Sequence, residues 1–102
     1  MINFKKTRDS IKLYSNIDTN RGILERLGID ITRDNKFKVR AEERTPSCII
    51  NKDGSFHDYG SSTHYSDIVS LLFDGYNSFN SVRDTMEWVC HELGISWEDG
   101  YE

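Results

Sequence analysis

The side chains in this sequence best suited to chemistry are cations: Arg33, Lys36, Lys38, Arg40 and Arg44 crowd into one short stretch. On an extended strand alternate residues share a face. Lys36, Lys38 and Arg40 therefore point the same way and could meet phosphates, although the pattern also suits an ordinary solvated strand. Phe56, His57 and Tyr59 follow as rings on which bases could stack, with Phe56 more at home in a core. The charge is unevenly spread. Residues 1–45 hold eleven Lys and Arg against seven Asp and Glu, while residues 46–102 hold two against ten, so the net charge of −4 joins a basic half to an acidic one. The acidic half repels the phosphates that the basic strand attracts, so any nucleic-acid binding is expected to be weak or assisted by a partner.

Metal and catalytic chemistry find less support. The two cysteines, Cys48 and Cys90, lie far apart, with no Cys-x-x-Cys or Cys-x-x-His pair. That argues against a zinc ribbon or finger of ordinary spacing and against a disulfide framework, and it leaves two buried thiols. A rearranged site would have to draw on His57, His64, Asp58 and Cys48, but His57 and Asp58 point to opposite faces of a strand. His91 reads as a helix-end cation. No Ser-His-Asp set, glycine-rich phosphate loop or His-Glu-x-x-His pattern is present. Asp67, Asp84 and Glu87 are expected as caps and solvated faces. Neither a cofactor nor catalysis by this chain alone is expected.

The elements that must position these residues can be read from periodicity. At 102 residues there is room for one core. No apolar run approaches the ~20 residues of a membrane span and the first residues lack a signal-peptide stretch, so a cytoplasmic protein is expected. Residues 5–14 form a short helix or an arm. A helix opens at Asp18 or Thr19, carries Ile23, Leu24 and Leu27, and stops at Gly28. Ile29 and Ile31, then Phe37 and Val39, alternate as two short strands about a turn near Asp34 and Asn35. Residues 47–50 and 55–59 form a hairpin closed by Asp53-Gly54. A loop over 60–65 leads to a helix capped by Ser66, bearing Ile68, Val69, Leu71, Leu72 and Phe73 and ending at Gly75. A last helix starts around Ser78 to Ser81, where Ser81 and Asp84 resemble a capping box, and runs to Gly94. The fold class is α+β: a small antiparallel sheet packed with an N-terminal helix and two C-terminal helices.

Four segments between about Ile17 and Ile95 together resemble the zinc-ribbon domain at the N-terminus of bacterial and phage DNA primases. They are Ile23-Leu24-Glu25-Arg26-Leu27-Gly28-Ile29, an entry helix running to a glycine, and Glu43-Arg44-Thr45-Pro46-Ser47-Cys48, similar to that family's Glu-Lys-Thr-Pro-Ser-Phe. Next come Phe56-His57-Asp58-Tyr59-Gly60-Ser61 with Ser66-Asp67-Ile68-Val69, and last Asn77-Ser78-Phe79-Asn80-Ser81 through His91-Glu92-Leu93-Gly94-Ile95. The resemblance divides the chain into an arm or short helix (1–16), a primase-like domain (17–96) and an acidic tail (97–102). It aligns the family's Cys, His, Cys and Cys ligands with Lys38, Ala41, Tyr59 and Ser62. These offer an ammonium, a methyl, a phenol and a hydroxyl, which do not make a structural zinc site, so a degenerate, metal-free ribbon is expected.

What the resemblance implies is a role in DNA replication without the catalytic domain. The expectation is a stand-alone accessory of a phage or mobile element that binds single-stranded DNA weakly or docks on a polymerase, primase core or helicase. Lys36, Lys38, Arg40 and Arg44 would take phosphates, and His57 and Tyr59 would stack. The alternative is a protein-interaction or inhibitor module that works through its acidic half, Glu87 to Glu102, against a host or co-encoded protein.

Overall fold

A computed structural model describes residues 4–39 and 44–95. It has the expected α+β class, with a four-stranded antiparallel sheet in the order β1-β2-β3-β4 covered on one face by helices. The chain runs α1 (Phe4–Tyr14), α2 (Ile17–Arg26), β1 (Lys36–Phe37), β2 (Cys48–Ile50), β3 (Phe56–Asp58), β4 (Thr63–Tyr65), α3 (Ile68–Ser70) and α4 (Val82–Leu93). Immediately after α3 the helix widens into a π-helical stretch, Leu71–Gly75.

The first segment is a helix and not a loose arm. Thr7 and Ile11, one turn apart, are wholly buried, while Lys5, Lys12 and Leu13 face water. Helix α2 starts earlier than Asp18. Asn16, in extended backbone, accepts the Thr19 N–H at 2.8 Å, and Asp18 falls in the first turn, where a carboxylate favours the helix dipole. Its end is the one expected: Gly28 takes φ 82°, and the Gly28 and Ile29 N–H groups close on Glu25 and Leu24.

Ile29 and Ile31 do not form the strand their alternation suggests. The guanidinium of Arg21 donates to the carbonyls of Ile31 and Thr32 and to the Asn35 side chain. Those acceptors are therefore satisfied from α2 and not by a ladder. Both isoleucines still pack on the core. The turn expected near Asp34 and Asn35 is present, with Asn35 at φ 62°, and only Lys36 and Phe37 pair with β2.

The hairpin β2–β3 matches its sequence. Cys48, Ile49 and Ile50 pair with Asp58, His57 and Phe56, and Gly54 adopts φ 88° in the turn. A Cβ on Gly54 would come within 2.6 Å of the Ser15 Cβ, so this glycine also lets the turn seat against the α1–α2 junction. Residues 63–65, expected as loop, are instead a fourth strand. The Asp58 carboxylate accepts from Ser47 Oγ, the Gly60 N–H and Ser61 Oγ, which folds residues 59–62 tightly enough for Thr63 to return opposite Asp58.

The helix after β4 is capped by Asp67, not Ser66. The Asp67 carboxylate is buried, accepts the Ser70 N–H at 2.8 Å and takes the Arg8 guanidinium at 2.9 Å, so it also docks α1. Ser81 caps α4 as expected, accepting the Asp84 N–H, and Gly94 ends it at φ 71°. The inward face of the sheet (Phe37, Cys48, Ile50, Phe56 and Tyr65) meets Ile23 and Leu24 of α2, Ile68 to Leu72, and Met86 and Val89 of α4 in a single core. Phe37 and Phe56 meet edge to face with ring centres 6.0 Å apart. Cys48 and Cys90 are both buried, as expected, and burial pushes the Cys90 thiol pKa up.

Removing the arginine strands a buried carboxylate. Arg8→Met is therefore expected to cost about 2–4 kcal/mol, read as a lower urea midpoint at unchanged slope. In the hairpin turn, the Ser55 hydroxyl and N–H hold the Asp53 carboxyl below its ordinary pKa against slight opposing desolvation, with a weak contribution from His64. A depressed carboxylate stabilises above its unfolded pKa and ceases to do so as pH falls through the folded one. The difference in thermal midpoint between the parent chain and Asp53→Asn should accordingly be full near neutrality and shrink once the pH drops below the ordinary aspartate range.

Candidate nucleic-acid interface

Strand register places one residue from each strand in a single row on the open face of the sheet. Lys36 is opposite Ile49, Ile49 opposite His57, and His57 opposite His64. Four neighbouring strands make this row about 14 Å long. Lys36 and His64, at the two edges, are exposed, and Ile49 and His57 between them are half-buried. Their sequence neighbours Phe37, Cys48, Asp58 and Tyr65 point inward and are buried, as strand alternation requires. Every outward residue is thus held by an inward neighbour that packing fixes.

Two further residues extend the face. Tyr59 follows His57 by two positions, and its N–H donates to the Ser47 carbonyl, which prolongs the β2–β3 pairing. The Tyr59 ring stands edge-on to the His57 ring with centres 4.4 Å apart and remains 70% exposed, so it is available to a ligand. His57 and His64 lie across the β3–β4 pair with ring centres 6.1 Å apart. Lys38, exposed like Lys36, flanks the buried Phe37 on its other side. The Lys38 carbonyl is fixed by the Tyr76 hydroxyl, and the Tyr76 ring stacks on Phe37. Beyond Lys38 lies a largely apolar groove of about 610 Å³, bordered by Ile29, Ile31, Val39, Pro46 and Tyr76.

Of the six residues expected at a nucleic-acid site, the structure brings Lys36, His57 and Tyr59 to one face, and Lys38 is exposed just past the end of β1, at the edge of the groove. Arg44 is exposed in the segment leading into β2, apart from the row. Arg40 lies outside the described residues, as do Ala41 and the acidic tail. His64 and Ile49 share the row although the sequence alone does not place them beside Lys36 and His57. The short alternation Thr63-His64-Tyr65 was the available signal, obscured by the serines and glycine before it.

The electrostatics of the face follow from where the carboxylates go. Asp58, between His57 and Tyr59 in sequence, points inward and is wholly buried under three hydrogen bonds. Asp67 is paired with Arg8. Asp53 sits in the hairpin turn and not in the row. The row itself carries a cation, an aliphatic and two imidazoles, with no carboxylate. Among the described residues no three His, Cys, Asp or Glu side chains gather as metal ligands. Cys48 faces the core, on the opposite side of the sheet from the His57–His64 pair, so thiol and imidazoles do not converge. Among the described residues no helix is long and apolar enough to cross a membrane.

The fold and this face together define an α+β domain with an open, cationic and ring-bearing antiparallel sheet. Set against protein-family models, curated proteins and solved structures, the chain finds no match.

The face and the core should separate cleanly in stability measurements. Tyr59→Ala should leave the urea midpoint within about 0.5 kcal/mol of the parent, because the ring is largely in water. Phe56→Ala, three positions away but inward, should cost about 3–5 kcal/mol.

Proposed function

We propose that this domain binds single-stranded DNA across the open face of its sheet, as a metal-free, primase-like accessory that contributes binding and not catalysis. The observation that carries the proposal is the row Lys36, Ile49, His57 and His64 with Tyr59 beside it. Rings on the open face, Tyr59 and His64 exposed and His57 half-buried, offer stacking to any base, and flanking lysines offer charge to the phosphates, the two ingredients of single-strand binding without base-edge readout. A base turned off the row at its β1 end meets the apolar groove beyond Lys38. A duplex would present phosphates but no unstacked base faces, which favours the single strand.

The excess of acidic groups keeps the affinity modest, and the resemblance to primase zinc-ribbon domains points to a replication enzyme (a polymerase, primase core or helicase) as the partner that supplies the remainder. In the described part of the acidic half, Asp58 and Asp67 are buried and Glu92 pairs with Arg26, while Asp53, Asp74, Asp84 and Glu87 are exposed, Glu87 in a weak surface pair with Arg83. The open sheet is favoured over this acidic surface as the working face because it sets rings beside cations.

Fluorescence anisotropy with a labelled oligothymidine tests the proposal. Binding should weaken steeply with salt. It should fall about 5- to 100-fold in His57→Ala/Tyr59→Ala through lost stacking, and further in Lys36→Glu/Lys38→Glu, while both variants keep the parent's urea midpoint. Affinity for single strands that is unchanged in both variants, or absent in the parent at low salt, would overturn it.

A further inference from the structure

Helix α1 places a second group of cations off the opposite edge of the sheet from Lys36. Its eleven residues include Lys5, Lys6, Arg8 and Lys12 against a single Asp9. The helix is docked at a defined place, because Arg8 reaches both carboxylate oxygens of Asp67 and the Ser70 hydroxyl. Ser66, beside Asp67, follows His64 by only two residues, about 7 Å of extended chain. Lys5, Arg8, Asp9, Lys12, Ser66 and Asp67 line one groove of about 430 Å³ between α1 and the corner where β4 ends.

Of the two carboxylates of that groove, one is fully neutralised and the other only weakly paired. Asp67 is buried against Arg8. Asp9 meets Lys5 at 3.6 Å in a pair exposed on both sides, which water and salt weaken to almost nothing. Lys12 has no ion pair among the described residues. Lys5 and Lys12 are seven residues apart, two helical turns, and so lie on one side of α1 about 10 Å from each other. Cations therefore lie at both edges of the sheet, Lys36 and Lys38 at and just after β1, and Lys5 and Lys12 beside the corner past β4, with Ser66 linking that corner to His64 of the row.

We infer that Lys5 and Lys12 form a second phosphate subsite, so that a single strand crosses the sheet from one edge to the other and continues over the β4 edge onto α1. This rests on the proposed single-strand binding and adds to it the course of the strand and its outlet. Helix α1 precedes the segment that resembles primase domains, so the resemblance does not supply this subsite. Continuity with the row favours a nucleic-acid backbone over an acidic peptide as the occupant, because an acidic peptide has no use for the rings.

The test is the variant Lys5→Gln/Lys12→Gln, which keeps helix-forming residues at exposed positions. It is measured against a short oligothymidine that spans only the sheet and against one several times longer. Binding of the short oligonucleotide should stay within about twofold of the parent. The longer one should lose about 5- to 20-fold at low salt, and its log–log salt slope should fall by about 1.4, the loss of two single-strand phosphate contacts. Equal losses at both lengths, or no loss at the longer one while Lys36→Glu/Lys38→Glu still weakens binding, would overturn the α1 subsite and leave the sheet reading in place. Indifference of both lengths to the sheet variants would instead bring down the sheet reading and this inference with it.

Discussion

The Asp67 carboxylate is where three separate parts of the chain are tied together. It caps the helix that follows the sheet, it neutralises Arg8 of α1, and it does both from a buried position just past the end of β4. A buried carboxylate with one of these partners missing would be costly, and satisfying both fixes the angle at which the chain leaves the sheet and the place where α1 lies. Together with the burial of Thr7 and Ile11, this group sets where the cations of α1 stand.

The sheet is too short to hold itself. Strands of two or three residues supply two inward rows, and the stability of the face comes from what those rows touch. Phe37 is wedged between the edge of Phe56 and the flat of Tyr76, so even the two-residue strand β1 has a fixed register. At the other end Asp58 gathers the β3–β4 turn, taking hydrogen bonds from Ser47, Gly60 and Ser61. This is the turn where the primase resemblance would place two metal ligands, at Tyr59 and Ser62. The described chain closes it with a buried carboxylate and hydroxyls, while Tyr59 points out into solvent.

The open face is a product of the same packing. Because inward residues decide which way each strand presents its neighbours, Lys36, Ile49, His57 and His64 share a row only while Phe37, Cys48, Phe56 and Tyr65 stay buried. The open face has no separate scaffold, and a register slip of one residue would bury the imidazoles and expose the core.

Local signals in the sequence determined much of this protein: the α+β class, the stop of α2 at Gly28, the hairpin around Gly54, the limits of α4 at Ser81 and Gly94, and the two buried thiols. Each depends on contacts a few residues apart, such as a left-handed glycine, a serine reaching the N–H three residues on, or an apolar stripe. The tertiary structure alone decided the rest. Ile29 and Ile31 failed to become a strand because Arg21, from another element, took the carbonyls of Ile31 and Thr32. Residues 63–65 became β4 because a buried Asp58 folded the turn before them. Asp67 displaced Ser66 as cap because only a carboxylate could also answer Arg8, 59 residues away. For the open face, periodicity put Lys36 and Lys38 together, but the row that joins Lys36 to His57 and His64 exists only through pairing across four strands, a relation between distant residues that no local spacing records.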